Sequence, residues 1–208
     1  MFAPPSGRYL LLALLVLVTI TGADAIGVVP APYPVAALLA VSAGAWGFLA
    51  WFFRDPERAT GPGIVSAADG RVRSVVADGD RWQIAVFMNV TDVHVNRFPL
   101  DARVEAIDDG GSGHRPAYAV DADHNVRRHY RLATALGPVE VVQMTGIVAR
   151  RLVSLVRAGD SKAKGDRLGM ILLGSRVDVF LPRGRAEPSV QPGDRVRAGV
   201  TPIAREIP

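Results

Sequence analysis

The stretch Met170–Pro182, MILLGSRVDVFLP, decides how this chain folds. Met170–Leu173 and Val177–Leu181 are rich in Ile, Leu, Val and Phe, which predicts two buried strands. The pair Gly174-Ser175 interrupts them, and the charged Arg176 follows at once. A Gly-Ser pair between strands is either a bulge or tight turn, or a bond at which the backbone folds onto its own serine and breaks. The rest of the sequence has to decide between the two.

The composition limits the classes of function. The 208 residues carry a formal charge of +4 and no cysteine, which excludes disulfides, thiolate zinc sites and cysteine nucleophiles. The basic balance suits an anionic partner, but aromatic residues are sparse and do not alternate with Lys and Arg, so we expect no nucleic acid. The four histidines show no HxH or HxxxH spacing, so we expect no metal site.

The first 53 residues differ from the rest. Two uncharged stretches predict a membrane hairpin of two helices, at about 9–28 and 33–53, since a spanning helix needs about 20 apolar residues. Arg8 before the first helix, and Arg54 and Arg58 after the second, place both flanks in the cytoplasm. The alternative is a signal peptide that ends at TGADA, residues 21–25.

Residues 54–208 form short apolar runs separated by Gly, Pro and Asp. They predict a mostly β domain, a compact barrel or sandwich of short strands with one or two short helices. Residues 191–207 resemble the turn-and-strand unit of lipoyl-type folds without its lysine. Residues 147–156 have helical spacing and predict one short helix, residues 121–131 predict a solvated loop or edge strand, and 109–116 predict a mobile loop.

Three residues are candidates for chemistry, and each also has a purely structural interpretation. Asp69 in SAADGRV suits an ordinary Asp-Gly turn, His94 in MNVTDVHVNRFP suits a buried structural histidine, and Ser175 suits a bulge. The chain lacks the GxSxG elbow of serine hydrolases and a phosphate-binding loop. The sequence segments around Asp69, His94 and Ser175, taken together, are more informative than any one of the three residues.

These segments resemble a known family. The segments FFRDPER, SAADGRV, FMNVTDVHVNRFPLDARV, TGIVARR and KGDRLGMILLGSRVDVFLP follow in the order and spacing of the phosphatidylserine decarboxylase proenzymes, over residues 51–183. The short bacterial and archaeal form, with an N-terminal membrane hairpin, is the most similar. The resemblance implies a zymogen that cleaves itself between Gly174 and Ser175, giving a β chain 1–174 and an α chain 175–208.

The resemblance also implies roles for single residues. Ser175 would be the nucleophile and the source of a covalent pyruvoyl group, the cofactor of the family, with His94 and Asp69 as its catalytic partners. Longer members carry D-x-H-x-x-H where this chain reads DVHVNR, so Arg97 stands at the second histidine. His94 would then serve both self-cleavage and decarboxylation, or another group substitutes.

The implied reaction is the decarboxylation of phosphatidylserine to phosphatidylethanolamine in an anionic cell membrane, on its cytoplasmic side, without a metal. Arg150 and Arg151 are candidate contacts to the lipid phosphate, and further candidates for substrate contact are Lys162, Lys164, Arg167, Met88 and Phe98. The α and β chains would remain partners, and a homodimer stays open. The alternatives are an archaetidylserine decarboxylase, a degenerate homologue, or a non-catalytic membrane-anchored β-domain that binds a partner.

Overall fold

The computed structural model describes residues 2–3, 6–25, 32–113, 124–146, 151–172 and 175–207. The chain divides into two units, Met1–Pro56 and Glu57–Pro208. The first unit contains two helices and the second is built from strands. The structure therefore confirms the predicted mostly β fold preceded by two apolar helices.

The helical unit is an antiparallel hairpin. Helix α1 spans Ser6–Ala25 and helix α2 spans Pro32–Phe52, compared with the ranges 9–28 and 33–53 expected from the sequence. The Tyr9 and Phe53 rings stack with centroids 5.4 Å apart, and the Ala3 N–H donates to Phe53 O at 2.9 Å. These contacts bring the start of α1 beside the end of α2.

Both helices expose apolar side chains around their circumference. Leu12 is 63% exposed and Val41 is 70% exposed. A helix that is apolar all round needs apolar surroundings, and each of these is about 30 Å long, the thickness of a bilayer core. Both are long and apolar enough to cross a membrane.

The second unit contains strands that pair into three sheets. In chain order the strands are β1 Ile64–Val65, β2 Gly70–Asp78, β3 Arg81–Met88, β4 Val95–Arg97, β5 Ala102–Gly110, β6 Arg127–Thr134, β7 Gly137–Thr145, β8 Leu152–Ser154, β9 Ser161–Lys162, β10 Arg167–Ile171, β11 Ser175–Pro182, β12 Ala186–Pro188, β13 Arg195–Val196 and β14 Pro202–Glu206.

The largest sheet has the order β13-β2-β3-β11-β7-β6-β5-β9, and its pairings are antiparallel. Two three-stranded sheets, β1-β14-β12 and β4-β10-β8, complete the unit. Strand β11 is central, and its residues Val177, Val179 and Leu181 are fully buried. Because side chains alternate across a strand, one face of β11 lies in the core, as the apolar run in the opening stretch predicts.

The helix predicted over 147–156 is wrong for the part that the structure describes. Leu152–Ser154 form β8, which pairs with β10 through Gly169↔Ser154 and Met170↔Val153. The apolar residues that matched a helical period instead follow a sheet edge, because short apolar runs fit both periods. Residues 147–150 lie outside the described residues.

The loop or edge strand predicted over 121–131 is also wrong for Arg127–Arg131, which belong to β6 between β5 and β7. Its charged side chains find partners across the ladder: Arg128 pairs with Asp109 at 2.6 Å and Arg131 with Asp108 at 2.6 Å. Cross-strand charge pairs of this kind stabilise an interior strand with a polar face. Of the mobile loop predicted at 109–116, residues 109–110 belong to β5, and 114–116 lie outside the described residues.

Candidate active site

Ser175 is the first residue of the central strand β11. It pairs with Met88 at the end of β3 and with Thr145 at the end of β7. Three central strands therefore begin or end at one level of the sheet, which we call the Ser175 edge. The Ser175 side chain is fully buried, and Gly174 lies outside the described residues.

A chain of buried polar side chains runs from Ser175 into the core. Ser175 Oγ donates to Met88 Sδ at 3.4 Å, and Asn96 Nδ2 donates to the same sulfur at 3.6 Å. Asn96 Oδ1 accepts from Gln143 Nε2 at 2.7 Å, and Tyr130 OH donates to Gln143 Oε1 at 3.1 Å. All five residues have no exposed surface. Buried polar groups satisfied in this way fix a single arrangement, so this network holds the strand ends around Ser175 in place.

Gly169 of β10 makes room for this network. A Cβ at this position would lie 2.9 Å from Gln143 Nε2, 3.0 Å from Tyr130 OH and 2.6 Å from Val153 O. Real Cβ atoms essentially never lie closer than 3.0 Å to another heavy atom of this kind, as this one would to Val153 O and Gln143 Nε2. The absence of a side chain at residue 169 therefore lets β10 lie directly on the polar chain.

His94 lies at the end of β10 that leads to Ser175. Its backbone O accepts from the Ile171 N–H at 3.3 Å, and its side chain is fully buried. The ring Nδ1 lies 2.9 Å from Asp92 O. Because a carbonyl only accepts, Nδ1 carries the proton in the neutral ring, and the lone pair is on Nε2. The accepting nitrogen of the neutral His94 ring is thus Nε2.

Asp69 is held by two groups at the same edge. Arg58 donates to both carboxylate oxygens, at 2.5 and 2.8 Å, and the Ala198 N–H donates to Oδ1 at 2.8 Å. The neighbouring Gly70 has a φ of 145°, and a Cβ there would lie 2.1 Å from Phe87 O. Only glycine permits this approach, which brings Asp69 against the end of β3.

Arg97, which stands where longer members of the resembled family carry a second histidine, is buried on β4. Its Nη1 donates to Gly165 O at 2.9 Å, and its Cδ lies 3.0 Å from where a Cβ at Gly199 would be. Neighbouring strand residues project to opposite faces. Since Asn96 reaches Met88 beside Ser175, Arg97 projects away from that contact.

Two cavities open along the Ser175 edge. The first, of about 380 Å³, is lined by Asp109, Gly110, Gly111, Val126, Arg128, Arg151 and Leu152. Arg151 O accepts from the Leu172 N–H at 3.2 Å, which ties this cavity to the segment just before the predicted cleavage site. Arg128 holds the pKa of the Asp109 carboxyl below its usual value by a hydrogen bond and its charge.

The second cavity, of about 270 Å³, lies on the other side of β11. It is lined by Gly70, Arg71, Phe87, Asn89, Thr91, Asp92 and Arg195. Arg71 faces Phe87 across the β2–β3 ladder, and Phe87 faces Arg176, the residue after Ser175. Both cavities thus flank the serine at the level of the Ser175 edge.

The other candidate residues for substrate contact lie elsewhere. Lys162 pairs with Ala102 at the far end of β5, Lys164 Nζ donates to Gly63 O at 3.1 Å, and Arg167 pairs with Glu57 at 2.9 Å. Phe98 is part of the core. Arg150 lies outside the described residues.

Sequence reasoning did not identify Arg58 as the partner of Asp69, nor Asn96, Gln143 and Tyr130 behind Ser175. One signal was available: Asn96 and Gln143 each follow a valine in a predicted strand region, and amides that become buried in strands need hydrogen-bond partners. Within the described parts of the chain, no three His, Asp or Glu side chains are grouped so that they could hold a metal.

A family model for phosphatidylserine decarboxylase matches residues 46–204. The chain belongs to the phosphatidylserine decarboxylase family. This match covers Asp69, His94 and Ser175 together with both cavities.

Individual relatives agree with this assignment. A phosphatidylserine decarboxylase proenzyme of Thermobifida fusca is 44% identical over 81% of this chain and 76% of its own. A second one, of Streptomyces avermitilis, is 42% identical over 75% and 73% of the two chains. A putative archaetidylserine decarboxylase proenzyme of Halobacterium salinarum is 45% identical over 85% and 93%. All three of these relatives are named as proenzymes.

Proposed function

We propose that this protein decarboxylates phosphatidylserine to phosphatidylethanolamine after it has cleaved its own backbone between Gly174 and Ser175. The observation that carries the proposal is the position of Ser175, the first residue of a buried central strand with His94 and Asp69 at the same edge of the fold. Membership of the decarboxylase family supports the reaction class.

Self-cleavage would begin with attack of Ser175 Oγ on the carbonyl carbon of Gly174. Glycine leaves that carbonyl open to attack, and the paired strand β11 holds the hydroxyl in one orientation. His94 Nε2 is the proposed base for the hydroxyl proton. The resulting ester loses the Gly174 carboxylate by elimination, and hydrolysis of the dehydroalanine leaves a pyruvoyl group on the α chain and releases ammonia.

A pyruvoyl group suits the surroundings of Ser175. The Ser175 side chain is fully buried, and its Oγ lies 3.4 Å from Met88 Sδ. The Cβ of Ser175 would become the methyl carbon of the pyruvoyl group, which suits these apolar surroundings, and the ketone oxygen would replace the nitrogen on the Cα of Ser175. When formed, the pyruvoyl carbonyl supplies an electron sink for the loss of carbon dioxide from the serine headgroup.

The residues of this chain would then bind the lipid and move protons. Protonated His94 is the proposed donor to the carbon that loses carboxylate. Arg151, which lines the 380 Å³ cavity, and Arg150 are proposed contacts to the lipid phosphate, since guanidinium groups bind phosphate oxygens in pairs. Asp69 is a positioning residue, because it orders Arg58 and the turn at Ala198.

The two products of cleavage would stay together. The α chain, residues 175–208, contributes β11 to the middle of the large sheet, between β3 and β7 of the β chain. Strand β11 has eight residues, and the strands on both sides of it, β3 and β7, would belong to the other chain. We therefore expect the α and β chains to purify as one particle.

The experiment that tests the function compares two serine variants. The full chain, purified in detergent, is supplied with phosphatidylserine in mixed micelles, and phosphatidylethanolamine is measured by mass spectrometry. Ser175→Ala is expected to form none, whereas Ser161→Ala, at an exposed position on β9, is expected to match the unaltered chain. Product from Ser175→Ala would overturn the proposal.

Archaetidylserine is a second candidate substrate, favoured by the extent of the match to the Halobacterium salinarum relative, which spans 93% of that protein. The serine headgroup is the same in both lipids, so the same residues would act on it. The same assay with ester-linked and ether-linked lipids, each alone and in competition, identifies the preferred chains.

A further inference from the structure

The outer face of the large sheet carries a row of arginines at the level of the cleavage site. Arg195 pairs with Arg71, Arg71 with Phe87, and Phe87 with Arg176. Each strand is about 4.8 Å from the next, so this row runs sideways from the residue that follows Ser175 to the edge of the sheet. Its outer part borders the 270 Å³ cavity.

Arg195 and Arg71 are direct cross-strand partners at this edge. Like charges directly opposite each other destabilise a sheet. A negative group beside the two arginines would relieve this repulsion, so the partners of each arginine matter. Arg71 Nη1 donates to Gly193 O at 3.0 Å, and Arg195 has a loose contact with Asp92 at 3.5 Å. The Arg195 side chain is 70% exposed. By contrast, Arg176 is buried and bonded to Asp178 at 2.6 and 2.7 Å.

Two further arginines nearby are exposed. Arg73 lies on β2, and Arg197 directly follows β13. The outer end of the row therefore has more positive charge than Asp92 and Asp194 nearby can balance. A surface of this kind attracts anionic groups.

An exposed apolar residue stands beside these charges. Val90 is 39% exposed in the turn Asn89–Asp92, which borders the same cavity. The turn is closed at both ends: the Asp92 N–H donates to Asn89 O at 2.9 Å, and the Asn89 N–H donates to Asp92 Oδ2 at 2.8 Å. Val90 is thus presented to solvent by a hydrogen-bonded turn.

We propose that Arg71, Phe87, Val90 and Arg195, named here the docking face, bind the surface of an anionic bilayer. The guanidinium groups would contact lipid phosphates while Val90 enters the interfacial layer, as basic residues and apolar side chains do at membrane surfaces. This inference rests on the proposed function, because a bilayer substrate must reach the Ser175 edge. The docking face would orient that edge toward the lipid.

The absence of cysteine makes a direct test straightforward. Val90→Cys and Val76→Cys are prepared in the full chain, and each is labelled with an environment-sensitive fluorophore. Val76 is a matched control: it is 43% exposed on the same strand as Arg71 but about 17 Å further along it, at 3.3 Å per residue. Both proteins are reconstituted in phosphatidylcholine vesicles with about 30 mol% phosphatidylglycerol, an anionic composition, and lipids brominated on their acyl chains are the quencher.

Quenching at residue 90 that exceeds quenching at residue 76 by about threefold or more, and that falls in Arg71→Gln/Arg195→Gln, is the expected result for an interfacial site driven by charge. Equal quenching at the two positions, or quenching that the arginine replacements leave unchanged, would overturn the docking face. Cleavage into two chains is read from the same samples. Failure of docking in cleaved protein therefore leaves the proposed function intact, whereas uncleaved protein counts against that function itself.

Discussion

Asp69 carries a negative charge whose burial depends on Arg58. Both side chains are 11% exposed, and Arg58 contacts both oxygens of the carboxylate. Removing one charge of a buried pair leaves the other uncompensated, which costs about 3 kcal/mol. We therefore expect Asp69→Asn to lower the free energy of unfolding by about 3 kcal/mol, as measured by denaturant titration of the full chain in detergent.

Asp78→Asn is the matched control for this variant. Asp78 also pairs with an arginine, Arg81, at 3.2 Å, but its side chain is 52% exposed. Exposed pairs contribute about 0–1 kcal/mol, so this replacement should change the free energy of unfolding little. Equal effects of the two variants would show that the Asp69–Arg58 pair has no special role.

The polar chain behind Ser175 predicts a pH dependence. Burial raises the pKa of Tyr130 above its ordinary value of 10.0, against smaller opposing effects of Ser154 and Arg128. Below pH 10 the phenol is protonated whether the chain is folded or unfolded. Above about pH 10 the unfolded chain loses this proton first, so the free energy of unfolding falls as the pH rises.

Tyr130→Phe should remove this part of the alkaline slope. The free energy of unfolding is measured between about pH 8 and pH 11 for both proteins, and the difference between the two curves is the quantity of interest. Parallel curves would contradict a buried neutral phenol at residue 130.

The sequence alone suggested Ser175, His94 and Asp69 because they stand in short motifs. It did not reveal their contacts, because these join residues far apart in the chain. Gln143 bonds to Asn96 across 47 positions, and Ala198 bonds to Asp69 across 129. Local patterns do not encode such pairs, so the network had to come from the fold.

At the scale of elements, alternation and apolar runs were sufficient to predict β11 and the mostly β unit. They were not sufficient for β6 and β8. In β6 the charged face is satisfied by Asp108 and Asp109 on the next strand. In β8 the apolar residues fit a helical period equally well, and pairing with β10 decides the outcome.

Strand β10 depends on the lack of a side chain at Gly169. In Gly169→Ala the new methyl group would press on Val153 O and Gln143 Nε2, and overpacking of this kind costs about 1–3 kcal/mol. We expect a lower melting temperature and slower self-cleavage. The extent of cleavage is measured by gel electrophoresis after expression. Gly184→Ala is the control, because a Cβ there meets nothing within 4 Å; equal behaviour of both variants would contradict the packing described for β10.

At the scale of the whole molecule, the hairpin α1–α2 exposes apolar side chains, whereas the strand unit buries its apolar side chains in a core. The flanking charges Arg8, Arg54 and Arg58 predict that the strand unit lies on the cytoplasmic side of the membrane. Gly184→Cys introduces the only thiol of the chain at an exposed turn. A maleimide that does not cross membranes should label it only after the cells are permeabilised, and labelling of intact cells would place the unit outside.

The central claim is that the chain cuts itself before Ser175, and the intact mass under denaturing conditions tests it most directly. The account predicts two fragments, residues 1–174 and 175–208. The smaller should lack an N-terminal amine and carry a carbonyl that borohydride reduces, and Ser175→Ala should stay whole. A single uncut chain in both samples, each purified with lipid, would contradict self-processing.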